Sequence, residues 1–167
     1  QHLNLPAKYF LHVGTLEPRK NISGLIKAFD RLHAEYPNYK LVLVGGCGWM
    51  YSKLLRDIKK RDYIKYLGYQ KTPVKDAIYK LSYAFIWSSF YEGFGFPPLE
   101  ALTHKKPVIS SFKTSLPETL GNHAIYVDPY SVSDMYMAMK MLIEDQQLYL
   151  SLITDSFDLP EWPNQSF

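Results

Sequence analysis

Along this chain, short runs in which every position is apolar alternate with longer stretches where apolar residues return every third or fourth place. Unbroken apolar runs fit strands covered on both faces, and the wider spacing marks helices with one buried stripe. Tyr9–Val13 is the first run, and it stops at Gly14. Ile22, Leu25, Ile26, Phe29 and Leu32 then predict a helix, with Asn21 as its N-cap and Pro37 halting it after Tyr36. Residues 41–44 read as a second strand closed by Gly45 and Gly46, and Tyr51, Leu54, Leu55 and Ile58 mark the next helix. A third strand, residues 64–67, ends at Gly68. The helix after it is capped by Thr72, opened by Pro73, and carries Val74, Ala77, Ile78 and Leu81. Ala84–Trp87 is the fourth strand and residues 107–110 the fifth. A turn at Leu116–Leu120 precedes a short strand, Ala124–Val127, which Asp128 and Pro129 break before Met135, Ala138, Met139, Leu142 and Ile143 mark a last amphipathic helix.

Strands alternating with helices of this length predict an α/β fold, a doubly wound parallel sheet with right-handed crossovers. Ligands of such sheets bind beyond the C-terminal strand ends, at the place where strand order reverses. Gly14 follows the first strand and Glu92 the fourth, so the loops that carry them should converge on one crevice.

Composition narrows the possibilities. With 167 residues and 47% hydrophobic content, the chain suits one domain spanning 1–167, in which residues 157–167 (FDLPEWPNQSF, whose first residue opens the tail) lose periodicity and gain prolines. No run reaches membrane-spanning length and QHLNLPAKYF lacks the regions of a secretory signal, so a soluble, cytoplasmic chain is expected. The single cysteine, Cys47, excludes an internal disulfide framework, and neither it nor His12, His33, His104 and His123 has the spacing of a zinc site. A net charge of +3, spread among acidic residues, argues against nucleic acid as a partner. Met135, Met137, Met139 and Met141 alternate, so Met135 and Met139 share a face, as core packing requires.

Two stretches carry candidate chemistry. Residues 88–101, SSFYEGFGFPPLEA, combine a strand end, a turn loosened by Gly93 and Gly95, and a helix opening at Pro97 and Pro98. Such a helix start offers amide donors and partial positive charge to an anion. Glu92 and Glu100 bracket it, with seven residues between them and Glu100 placed in the first helical turn. Residues 14–21, GTLEPRKN, form the second stretch. There Gly14 leaves room for a close approach, and Arg19 and Lys20 set two cations before a helix; on their own they read sooner as solvated loop charges, and the other stretch reverses that reading.

A glutamate, seven residues and a second glutamate, with GFGFP between, resembles the donor-site signature of retaining nucleotide-sugar glycosyltransferases of the GT-B fold, the group 1 family. From about residue 9 to about residue 162 the chain resembles the Rossmann-like C-terminal domain of those enzymes. The resemblance implies a nucleoside-diphosphate sugar as donor, a glycan or lipid-linked acceptor, and an N-terminal partner domain toward which the tail leads. GDP-mannose is the expected donor, with UDP- and ADP-sugars as alternatives, and bacterial mannosyltransferases of polysaccharide synthesis as the nearest kind. It also implies peripheral placement at the inner membrane face for a full-length enzyme. By the same resemblance Arg19 and Lys20 neutralise the diphosphate as the sugar–phosphate bond breaks, without a metal, since no Asp-x-Asp triplet is present. Glu92 would face the donor sugar and the anomeric carbon. Glu100 would accept from ribose hydroxyls, although acids favour first helical turns in any case. Backbone amides of Phe94, Gly95 and Phe96 would meet the sugar and that near Leu99 the phosphates; Tyr69, beside residues 45–48, is either a base contact or a surface aromatic, and Glu118 of SLPE is a supporting residue.

Two rival classes share the sheet. An NAD-dependent oxidoreductase needs G-x-G-x-x-G after the first strand and an acid ending the second, where this chain has GTLEPRK and Gly45-Gly46. A non-catalytic nucleotide- or glycan-binding module, or an epimerase or phosphorylase of the same fold, is the alternative that the pattern leaves open.

Overall fold

The structure is a computed structural model and describes residues 3–113 and 115–154. Six strands, β1 (Tyr9–Val13), β2 (Lys40–Val44), β3 (Ile64–Tyr66), β4 (Ala84–Trp87), β5 (Val108–Ser111) and β6 (Ala124–Val127), form one sheet. Its order is β3-β2-β1-β4-β5-β6, and every pairing is parallel. The chain builds outward from β1 to β3, then returns to lay β4 against the other side of β1, where Phe10 pairs with Ala84 and Leu11 with Phe85. Loops leaving β1 and β4 therefore turn to opposite faces of the sheet, and a crevice opens between them.

Helices α1 (Ile22–Glu35), α2 (Tyr51–Lys59), α3 (Thr72–Leu81), α4 (Phe96–Thr103), α5 (Leu116–Leu120), α6 (Val132–Glu144) and α7 (Gln146–Thr154) complete the described chain. Strand alternation sorts the core into two layers. Phe10, Leu41, Leu43 and Ile86 pack with Phe29 of α1, Ile58 of α2 and Met139 of α6, whereas Leu11, Val42, Phe85 and Trp87 pack with Tyr79 of α3, Leu99 and Leu102 of α4 and Leu116 of α5. All five residues of β1 are buried, as a central parallel strand must be, and each large apolar side chain so covered contributes about 2 kcal/mol of transfer free energy. Met135 and Met139 lie in the first layer while Met137 and Met141 are exposed, as their spacing implied.

Several local expectations are corrected. Asn21 precedes α1 in the left-handed conformation, φ 54°, and makes no side-chain cap; its amide instead donates to the Pro129 carbonyl at 2.6 Å. Thr72 is the first residue of α3 rather than its cap, a position that Lys71 fills without a side-chain bond. Leu116–Leu120 is a short helix, not a bare turn. Ser131 caps α6 by accepting from the Asp134 amide at 3.1 Å, and α7 follows where no element was anticipated. The tail at 157–167 lies outside the described residues.

Candidate functional site

The stretch after β1 forms a 3-10 turn at Pro18–Lys20, and the left-handed Asn21 swings the chain into α1. That loop is fastened to the one after β4 through main chain. The Phe90 amide donates to the Arg19 carbonyl at 2.9 Å, and the Ser88 hydroxyl donates to the Lys20 carbonyl at 3.0 Å. Side chains follow from this placement. Lys20 Nζ donates to Glu92 Oε1 at 2.5 Å and stands 4.3 Å from the centre of the Trp87 ring, while Arg19 Nη1 reaches Glu92 Oε2 at 3.2 Å. Arg19 Nε also pairs with Glu17 Oε1 at 2.6 Å. Two cations and two carboxylates thus balance at the switch point, with Lys20 6% and Glu92 7% exposed.

Burial is the largest influence on Lys20, lowering its ammonium pKa below the ordinary lysine value; the Glu92 hydrogen bond and charge pull it back up. His12, on β1, stacks on Trp87 with ring centres 5.1 Å apart, and its Nδ1 bonds the Ile86 carbonyl at 3.0 Å. Desolvation pushes this imidazole down to about 3, with the Ile86 bond opposing and the nearby Lys20 charge adding to the fall. A Cβ on Gly14 would lie 3.2 Å from Trp87 and 3.3 Å from His12 Nε2. The missing side chain therefore makes room for these two rings, where the sequence alone suggested room for a ligand.

Past Glu92 the chain turns sharply. Ser115 Oγ donates to the Gly93 carbonyl at 2.5 Å, and Gly95, at φ +80°, passes so close to α5 that a Cβ would sit 2.4 Å from Leu116 Cδ2. Both facts demand glycine at 95. The next helix starts at Phe96, one residue earlier than its prolines, so Glu100 is the fifth residue of α4 and falls beyond the first turn in which it was expected. Pro97 and Pro98 carry no amide hydrogen, so of the first four amide positions of this helix start only Gly95 and Phe96 are donors, and Leu99 falls where the helix's own hydrogen bonding begins. Phe94 packs on Phe96, ring centres 4.8 Å apart, and Leu99 is buried beneath.

Glu100 belongs to a different neighbourhood from Glu92. Its Oε1 accepts from Lys75 Nζ at 2.8 Å, and Tyr79, one turn further along α3, donates to the Pro97 carbonyl at 3.2 Å. Burial raises the Tyr79 phenol pKa, and the Glu100 charge raises it further. Sequence reading missed Lys75 and Tyr79; their four-residue spacing was the available signal, since it sets both on one face of α3. Tyr69 is 75% exposed on the loop after β3, which is joined to the β2 loop by the Gly45 amide donating to the Gly68 carbonyl at 2.9 Å. Glu118 lies exposed on α5. The structure thus brings Arg19, Lys20 and Glu92 into direct contact and gives Glu100 its own cation; among the described residues no hydrogen bond or ion pair joins Tyr69 or Glu118 to either group. Among the described residues no group of three or more His, Cys, Asp or Glu side chains is placed to hold a metal ion.

A fully parallel sheet of this order, with charged loops meeting at its switch point, defines a Rossmann-like α/β domain. The chain belongs to the Glycosyl transferases group 1 family, whose sequence profile matches residues 1–156. The O-antigen chain mannosyltransferase B of Escherichia coli is 38% identical over 141 residues, covering 82% of this chain and 37% of that protein, so the chain spans well under half the relative's length. Among solved structures, the C-terminal domain of a glycosyl transferase group 1 family protein (LpcC) from Francisella tularensis superposes with a TM-score of 0.80 at 22% identity, covering 90% of this chain and 83% of that one. Anabaena Alr3699/HepE in complex with UDP and glucose gives a TM-score of 0.77 at 19% identity, covering 87% and 41%. The fold is that of the C-terminal half of GT-B enzymes.

Proposed function

We propose that this chain is the donor-binding domain of a glycosyltransferase, holding a nucleoside-diphosphate sugar whose sugar passes, with retention, to a glycan or lipid-linked acceptor. The observation that carries the reading is the contact of Arg19 and Lys20 with the buried Glu92 at the strand-order switch. Without ligand these charges satisfy one another. Arg19 is half exposed and free to turn toward a diphosphate, leaving Lys20 to hold Glu92 in position. Both cations then oppose the negative charge that gathers on the diphosphate as the bond to the sugar breaks, in a place where few waters compete. Glu92, fixed by Lys20, faces the sugar. Glu100, held by Lys75, accepts from the ribose, and Tyr69 receives the base. A partner domain completes the crevice on the acceptor side.

The mannosyltransferase named above supports GDP-mannose as donor, and the neighbour in complex with UDP and glucose supports a nucleoside diphosphate as ligand. Calorimetric titration of GDP, UDP and ADP into the chain tests the reading. One of the three should bind, and Arg19→Ala should weaken it by about tenfold, the worth of one charge-assisted hydrogen bond at a partly wet site. Absence of binding by all three overturns the proposal.

A further inference from the structure

Beside the donor crevice, on the α1–α2 side of the β1 loop, lies a cavity of about 330 Å³. Its lining includes Glu17 and Asp57, Lys27 and Lys53, and the rings of Tyr51 and Phe90. Two carboxylates against two ammonium groups leave it with no net charge, so it has little preference for an ion of either sign. What it does offer is hydrogen-bond acceptors (Glu17, Asp57), donors (Lys27, Lys53) and aromatic surface in one hollow. A neutral ligand rich in hydroxyls and with flat C–H faces meets all three requirements, which is the chemistry of a saccharide. Lys27 and Lys53 make no hydrogen bond or ion pair among the described residues, and the Asp57 carboxylate has only Lys60, at 3.5 Å. Their polar atoms are therefore available.

The cavity is wired to the candidate site. Glu17 pairs with Arg19 at 2.6 Å, and Arg19 pairs with Glu92 at 3.2 Å. Phe90, two residues before Glu92, stacks on Tyr130 with ring centres 4.6 Å apart, and Tyr130 is exposed, so aromatic surface continues outward from the cavity. At 330 Å³ it stands at the small end of the range of about 300–1,000 Å³ usual for ligand pockets, enough for a short saccharide. We infer that this cavity is a saccharide subsite that receives part of the acceptor glycan; its assignment to the acceptor rests on the function proposed above, whereas saccharide binding there does not.

Linear α-mannotriose titrated into the 167-residue chain, followed by amide chemical shifts, tests the inference. Saturable shifts are expected at the starts of α1 and α2. Tyr51→Ala and Asp57→Asn should each weaken binding by about tenfold, the loss of one stacking or hydrogen-bond contact, and leave nucleotide affinity unchanged. Lys53→Ala, at an exposed position without a partner, should fold normally and weaken binding severalfold, which guards against a folding defect in the other two. Shifts that are absent, or indifferent to all three substitutions, overturn the subsite even when nucleotide binds. Trisaccharide binding without nucleotide binding overturns the donor reading and leaves the subsite in place.

Discussion

Two lysine–glutamate pairs flank the same glycine-rich turn, and they differ in almost everything but composition. Lys20 and Glu92 have side chains 8% exposed each, one beside an indole and a neutral imidazole; Lys75 and Glu100 are 22% and 38% exposed in a bridge from α3 to α4. In the first pair, each charge has given up most of its water and depends on the other. In the second, both side chains keep part of their contact with water, although Glu100 Oε2 is buried. The difference teaches that the two glutamates of one motif are held for different ends: Glu92 is locked into the structure, and Glu100 is left ready to exchange its lysine for another donor.

Removing one partner from the buried pair should produce the largest effect. Glu92→Ala strands the Lys20 ammonium and should cost about 3 kcal/mol in urea unfolding, while Lys20→Met combined with Glu92→Gln should recover most of that loss. A single-mutant cost near zero would erase the distinction between the pairs. Acid reports on the same buried neighbourhood. The folded His12 stays neutral down to about 3 whereas the unfolded chain protonates near its ordinary value of about 6.5, so its contribution is complete above that value and falls away as pH drops toward 3. Between pH 7.5 and 5 the protein should lose about 2 kcal/mol through this residue, and His12→Leu should flatten that slope. The smallest effect belongs to the outer pair. Lys75→Ala should change stability by less than about 1 kcal/mol, and a larger cost would show that α3 and α4 depend on it structurally.

The sheet was legible because the signal that makes it, unbroken apolar runs such as YFLHV and AFIW separated by periodic helices, is local in sequence. The adjacency of the first and fourth strands at the switch point was expected of the usual doubly wound order. What stayed hidden was set by distant partners. Asn21 has the composition of an N-cap, yet its side chain answers to Pro129, 108 positions away. Gly14 has the look of a ligand approach, but the rings of His12 and Trp87 fill its space, and one of those comes from another strand. The two motifs could be expected at one sheet edge; that Glu92 would pair with both cations, and that Lys75 would take Glu100, could not, because neither the α3–α4 packing nor the depth of the turn is written in any one segment. The helix at Gln146–Thr154 escaped because its apolar stripe is faint.

The main-chain ties around Arg19 bear on how such a domain can change. The loops from β1, β4 and β6 are clamped to one another through the carbonyls of Arg19, Lys20 and Pro129. Those acceptor groups are common to every amino acid, so the half-exposed residue at 19 can be exchanged without dismantling the clamp. A framework of that kind lets evolution retune the charges presented to a substrate while the scaffold keeps its shape.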